Sequence, residues 1–191
     1  MAKQTINIGA VANDGTGDQL RTAFDKVNDN FTELYDAKRF GIYDYNNNSA
    51  SQGFTGTPIA LLNNGGGANT YKNILTGISD IYISNSFDFS ELSLGDTITI
   101  RVDLEITTTT ANQEFEVYLD LAIGTGSNYQ VKFATRFFKT AGTYALADMY
   151  NFIYLGNNDT KNNPAKFYFN SDANASVLVN GWACKVDKQL I

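Results

Sequence analysis

The 191-residue chain contains no histidine. That absence removes the commonest general base, the commonest transition-metal ligand, and every Ser-His-Asp or Cys-His arrangement at once. Catalysis would rest on carboxylates alone. There is a single cysteine, Cys184, so no intrachain disulfide can form and stability must come from packing or oligomerisation. A reducing compartment during assembly fits. Basic residues are also scarce: 14 Lys and Arg stand against 20 Asp and Glu, for a net charge of −6, and they are scattered rather than clustered. This argues against a phosphate-binding surface and so against nucleic acid as a partner. No apolar run approaches the roughly 20 residues needed to cross a bilayer. Residues 1–8 lack a basic segment followed by an apolar one, so the chain is expected to be neither membrane-inserted nor classically secreted.

What is present favours strands and turns. Hydrophobic residues make up 43% and aromatics 13%, while Leu is sparse and Asn, Thr, Gly, Tyr and Phe abound. One segment departs from this. From Asp18 to about Ala37, Leu20, Phe24, Val27, Phe31 and Leu34 are spaced four, three, four and three apart, which is helical period with a heptad rhythm. Leu20, Val27 and Leu34 fall at d, and Phe24 and Phe31 at a, before Lys38 breaks the stripe. Thr16-Gly17-Asp18 supplies turn and N-cap chemistry ahead of the helix, and Gly41 follows it. The stripe fits two arrangements: one helix face laid on its own β domain, or the seam of a parallel bundle of copies. It falls short of the roughly 3–4 heptads that hold a coiled coil alone.

Residues 41–56, with Tyr43-Asp44-Tyr45 followed by Asn-, Ser- and Gly-rich sequence, read as a linker. Beyond them the apolar period falls to 2. Ile98, Ile100, Val102, Leu104 and Ile106 alternate with polar residues. Phe115 to Ile123 repeats the pattern, and Tyr129, Val131, Phe133 and Phe137 continue it after a Gly-rich hairpin loop. Shorter strands are expected at 58–62, 81–84, 149–155, 166–170, 176–180 and 182–186. Eight or nine antiparallel strands without a fixed repeat suggest a β-sandwich, with a jelly roll as first choice. The fold class is thus mainly β, with a short N-terminal helix before an antiparallel jelly-roll sandwich.

Candidate chemistry is thin. Asn13-Asp14-Gly15-Thr16-Gly17-Asp18 lacks the later Glu of a calcium loop and the Gly-Lys-Ser/Thr of a P-loop, so it reads as a structural turn. Gly65-Gly66-Gly67 and Gly124-Thr125-Gly126 precede no helix and read as loop glycines. Asp103, Glu105, Glu114, Glu116 and Asp120 fall on polar strand faces or ends rather than as a marked catalytic pair. No enzyme activity and no cofactor or metal are expected. Tyr144, Tyr150, Asn151, Tyr154, Asn157, Asn158 and Asp159 combine aromatic faces that can stack on sugars with amide and carboxylate groups that can bind hydroxyls, a candidate receptor surface. The alternative for these residues is ordinary core and turns. Cys184 shares the phase of Trp182 and Val186 and reads as a packed hydrophobe.

Ile6-Asn7-Ile8-Gly9, Asn13-Asp14-Gly15-Thr16-Gly17-Asp18 and the run from Leu20-Arg21-Thr22-Ala23-Phe24 to Asn30-Phe31-Thr32-Glu33-Leu34-Tyr35 closely resemble an N-terminal module of tailed-bacteriophage structural proteins. That module occurs in fibres, baseplate components and spikes of T4-like phages and cyanophages. The resemblance covers about the first 35 residues. It implies a homotrimer whose helices form the bundle, an arm docking onto another virion protein through Ile6, Ile8, Asn13, Asp14 and Asp18, and a location in the virion after assembly in the host cytoplasm. The remaining sequence looks loosely like trimeric jelly-roll heads of phage fibre tips and the C1q/TNF-like fold. The expected organisation is a docking arm (1–17), a helical trimerisation segment (18–40), a linker (41–56) and a jelly-roll head (57–191). The partners are further copies of the chain, another virion protein, and a host cell-surface glycan at the head. The expected function is a virion fibre or spike for host attachment, with a purely structural decoration or joining protein as the alternative.

Overall fold

The computed structural model describes residues 4–11, 14–36, 39–46, 50–63 and 74–189. Asn13, Lys38 and Gly65-Gly66-Gly67 lie outside them. The chain divides into two compact units, Met1–Lys38 and Arg39–Ile191.

The first unit is built on helix α1, Leu20–Asp36. No Gly or Pro interrupts it, and its first turn is closed by the Ala23 amide donating to Gln19 O at 2.9 Å. The expected stop at Gly41 is corrected: Gly41 is part of a strand. A Cβ there would lie 2.9 Å from Leu75 Cγ and 3.1 Å from the Tyr43 ring. The glycine is required by core packing, not by a helix terminus.

The second unit is a two-sheet antiparallel sandwich. Its strands are β1 (Phe40–Asn46), β2 (Gln52–Phe54), β3 (Ile59–Ala60), β4 (Tyr82–Ile83), β5 (Ser86–Phe87), β6 (Thr97–Thr108), β7 (Gln113–Leu121), β8 (Tyr129–Phe138), β9 (Gly142–Tyr154), β10 (Lys166–Ser171) and β11 (Ala175–Asp187). A one-turn helix, α2 (Asn158–Asn162), precedes β10. One sheet runs β1-β11-β6-β9, with β2 also paired to β11; the other runs β3-β10-β7-β8; β4 and β5 form a small ribbon. Taking β1, β3 and β6 to β11 as strands one to eight, the sheets read 1-8-3-6 and 2-7-4-5, which is the double Greek-key order of a jelly roll.

Strand β6 carries the expected alternation: Ile98, Ile100, Val102, Leu104 and Ile106 are at most 1% exposed, and their polar neighbours face out. The two strands expected at 176–180 and 182–186 are one, β11, with a register shift between Val179 and Gly181. Trp182 sits in the core with its ring centroid 5.3 Å from Tyr82 and 5.4 Å from Phe167. Cys184 is buried, and burial pushes its thiol far above the usual range.

The linker reading of 41–56 is overturned. β1 pairs with β11 from Phe40↔Asp187 to Asn46↔Gly181, and β2 extends that edge. Tyr43 and Tyr45 are fully buried, and their hydroxyls hid the two-residue period. Each phenol finds partners inside: Tyr43 Oη donates to Ile78 O at 2.9 Å and accepts from the Leu75 amide, while Tyr45 Oη donates to Asp80 and accepts from the Ile81 amide. A buried hydroxyl is tolerated because it is satisfied. β8 also departs from expectation. A bulge opposite Val117/Tyr118 shifts its pairing, Phe137 is 55% exposed, and Val131 and Phe133 are only half-buried.

Candidate assembly and attachment surfaces

The helical stripe faces outward on α1. Leu20, Phe24, Phe31 and Leu34 are 74, 59, 53 and 54% exposed, and Val27 is half-buried. Val27, Asn30, Phe31 and Leu34 line a shallow depression of about 270 Å³. Four large apolar side chains thus lie exposed in one row, the apolar stripe of an amphipathic helix.

Within the same unit the arm folds back along α1. The Gln4 backbone and the Asn30 side chain exchange two hydrogen bonds of 2.9 Å each, and Gln4 Nε2 donates to Asp29 at 2.8 Å. Lys26 Nζ donates to Thr5 O and pairs with Asp18 at 2.6 Å. Asn7 and Asp18 are linked twice: the Asn7 amide donates to the Asp18 carboxylate at 2.8 Å, and the Asp18 amide to Asn7 O at 2.7 Å. Between these clamps Asp14 gathers the amides of Ala10, Val11 and Thr16 at 2.6 to 2.9 Å. Gly9, at φ +78°, passes so close that a Cβ would meet the Asp14 carboxylate at 2.6 Å.

The electrostatics follow from these contacts. Hydrogen bonds from Thr16 and Val11 hold the Asp14 carboxyl well below the usual range. The Lys26 ammonium, then the Asn7 amide, lowers that of Asp18. The residues expected to dock thus fall into different roles. Asp14 and Asp18 bind their own loop. Ile6 is half-buried, Asn13 lies outside the described residues, and Ile8 is 88% exposed. Val11, which sequence reasoning missed, is 69% exposed beside it. Asp18 also differs from its expected use as an N-cap, because its carboxylate is taken by Asn7 and Lys26.

The residues expected to form a receptor surface are differently engaged. Tyr144 stacks on Phe138 at 3.8 Å between centroids and its hydroxyl donates to Thr140 O. Asn151 donates to Lys132 O and accepts from the Phe152 amide. Asn157 caps α2 by accepting from the Thr160 amide at 2.8 Å. Asp159 is half-buried, its carbonyl held by Asn163. Tyr150, Tyr154 and Asn158 remain open. Phe152, part of the same run Tyr150-Asn151-Phe152-Ile153-Tyr154 in the sequence, is 64% exposed between the two tyrosines, with which it shares one side of the strand; Phe40, which sequence reasoning overlooked, is 45% exposed on β1.

Among the described residues, no group of three or more Cys, Asp or Glu is placed to hold a metal ion, and no helix is long and apolar enough to cross a membrane.

Relatives and solved structures give these surfaces a context. Baseplate wedge protein gp10 of Enterobacteria phage T4 is 64% identical over 33 residues, which are 17% of this chain and 6% of that protein. The chain therefore spans only a small part of that relative's length. Among solved structures, infectious bursal disease virus T=1 particles match over 80% of this chain and 32% of theirs, with 11% identity and TM-score 0.48. The xylan-binding domain CBM22-1 of Paenibacillus barcinonensis Xyn10C matches over 78% and 94%, with 11% identity and TM-score 0.41. At such scores the likeness carries no argument, and the strand order itself defines the fold. The family model for Bacteriophage T4 gp9/10-like protein, N-terminal, matches residues 3–118, from the arm through α1 and into β7. With more than half of its length matched, this chain belongs to the bacteriophage T4 gp9/10-like family.

Proposed function

We propose that the chain is a homotrimeric, non-catalytic virion protein of fibre or spike type, docked by its N-terminal module and displaying its jelly-roll head for contact with the host surface. The observation that carries this reading is the exposed row Leu20, Phe24, Phe31 and Leu34 on α1 in a member of a phage structural family. A parallel bundle would bury that row, and Phe at both a positions is bulky for a two-stranded seam and better accommodated by a wider one. The docking partner is another virion structural protein. The exposed pair Ile8 and Val11, on a loop held by Asp14, supports an apolar contact there. Sedimentation of the full chain tests the trimer, with three chain masses expected; a monomer at micromolar concentration would overturn it. Host contact is tested by binding of the protein to host envelope fractions, and unchanged infectivity on deletion would refute it.

A second reading, a decoration or joining protein without a receptor, is favoured by one observation. Tyr144, Asn151 and Asn157 direct polar groups to the head's own backbone. Labelling the protein on the particle separates the two, since a joining protein lies between other components and a spike projects from them.

A further inference from the structure

The two outer faces of the sandwich differ. On the β3-β10-β7-β8 sheet the outward residues are mostly polar or charged, including Glu114, Glu116, Asp120, Lys166, Asn170 and Lys132, with Lys132 and Glu116 paired at 2.7 Å; its outward aromatics are the mutually stacked Tyr118 and Tyr168 and, at 55% exposure, Phe137 on the edge strand. On the other sheet, strand register aligns three outward rows: Phe40, Asp187, Thr97 and Tyr154; Ile42, Lys185, Thr99 and Phe152; Asp44, Ala183, Arg101 and Tyr150. Aromatic residues bracket this end of the sheet. Phe40, Tyr150, Phe152 and Tyr154 are 45, 70, 64 and 55% exposed.

We propose that this aromatic end of the sheet is where the heads of neighbouring copies pack against one another. The inference rests on the trimer reading above and reassigns Tyr150 and Tyr154 from host to self. Three observations favour a copy of the same chain as the occupant. First, both cations of the face are paired within it, Arg101 with Asp103 at 2.9 Å and Lys185 with Asp187 at 2.7 Å, so symmetric copies do not bring unpaired positive charges together. Lys185 also lies 5.6 Å from the centre of the Phe40 ring, so a positive group and an exposed aromatic are already matched on this surface. Second, the helical seam falls short of the roughly 3–4 heptads that sustain a coiled coil, so a trimer needs a second contact. Third, Phe40 follows the last helical residue, Asp36, by only four positions. Copies joined at the seam therefore hold this face at an effective concentration in roughly the millimolar range, where modest apolar contact suffices. The aromatics are the residue type that concentrates energy at such interfaces.

The test uses the full chain. Tyr150→Ser, Phe152→Ser and Tyr154→Ser combined are expected to raise the concentration for half-assembly by about 100-fold or more in analytical ultracentrifugation. Emission from the single, buried Trp182 should stay unchanged, marking a folded head. Assembly at the wild-type concentration would overturn the proposal, as would a parallel loss of host-glycan binding with unchanged mass. The seam variant Phe24→Asp separates the two readings. If it dissociates the assembly while the face variant does not, the trimer stands and the face proposal falls; if the wild type is a monomer, both fall. Should the triple variant misfold, Tyr150→Cys with a short bis-maleimide provides a second measurement. Chain-to-chain cross-links are expected there and not at Glu116→Cys on the opposite sheet, and the reverse pattern overturns the proposal.

Discussion

Helix α1 and strand β6 carry equally regular apolar stripes, yet the two end in opposite environments. Leu20, Phe24, Phe31 and Leu34 are more than half exposed, whereas the five apolar residues of β6 are at most 1% exposed. Periodicity identifies a face that must be covered. It does not say by what. β6 is covered from within the chain, between β11 and β9 and under the second sheet. For α1 the proposed cover is the same helix in other copies.

The contrast can be broken most severely in β6. Ile100→Ala is expected to lower head stability by about 2–5 kcal/mol, read from the urea midpoint, because a close-packed site gives up both buried surface and volume. An unchanged midpoint would mean that the sandwich core is loose. Next in size is Gly41→Ala, where the new methyl would meet Leu75 and Tyr43; a loss of about 1–3 kcal/mol is expected from overpacking. Were Gly41 instead a helix stop, head stability would not change. Phe24→Asp should leave the head midpoint within about 0.5 kcal/mol, since the residue is exposed, while disturbing the bundle in sedimentation. A large drop in head stability would show that the stripe is covered from within the chain.

The smallest effect concerns the arm. The carboxyls of Asp14 and Asp18 are held below their ordinary value of 3.8, so the contribution they make to the folded arm is fully present above that pH. It is lost only as pH falls through the lowered folded values. Hydrogen exchange at the Val11 and Thr16 amides should therefore stay protected, relative to intrinsic rates, between pH 5 and 8 and rise only under stronger acid. Protection that fades between pH 7 and 5 would contradict this assignment. Asp14→Asn should weaken protection throughout, because a neutral amide accepts these bonds less strongly.

Much of this was legible in the residues. Strand β6 could be read from five alternating aliphatics, α1 from its heptad spacing, and the Cys184 environment from its phase with Trp182. β1 was not, because Tyr43 and Tyr45 look amphipathic until the carbonyls and amides that satisfy their hydroxyls are known. The candidate receptor residues were ambiguous for a related reason. Asn157 and Tyr144 can serve a ligand or the chain itself, and each finds a partner close by in the chain, Thr160 three residues on and Thr140 four residues back. The family match to residue 118 likewise extends far beyond the 35 residues whose pattern was recognisable.

By itself the sequence determined local period: one amphipathic helix, a run of two-faced strands, no histidine chemistry and no disulfide. Those properties depend on neighbours a few positions apart and on which groups exist at all. Tertiary structure alone decided strand order, the place of β1 in the sheet, and the assembly of Phe40, Tyr150, Phe152 and Tyr154 on one face. Each of these depends on residues far apart along the chain, whose meeting is set by global packing and hydrogen-bond satisfaction rather than by local preference.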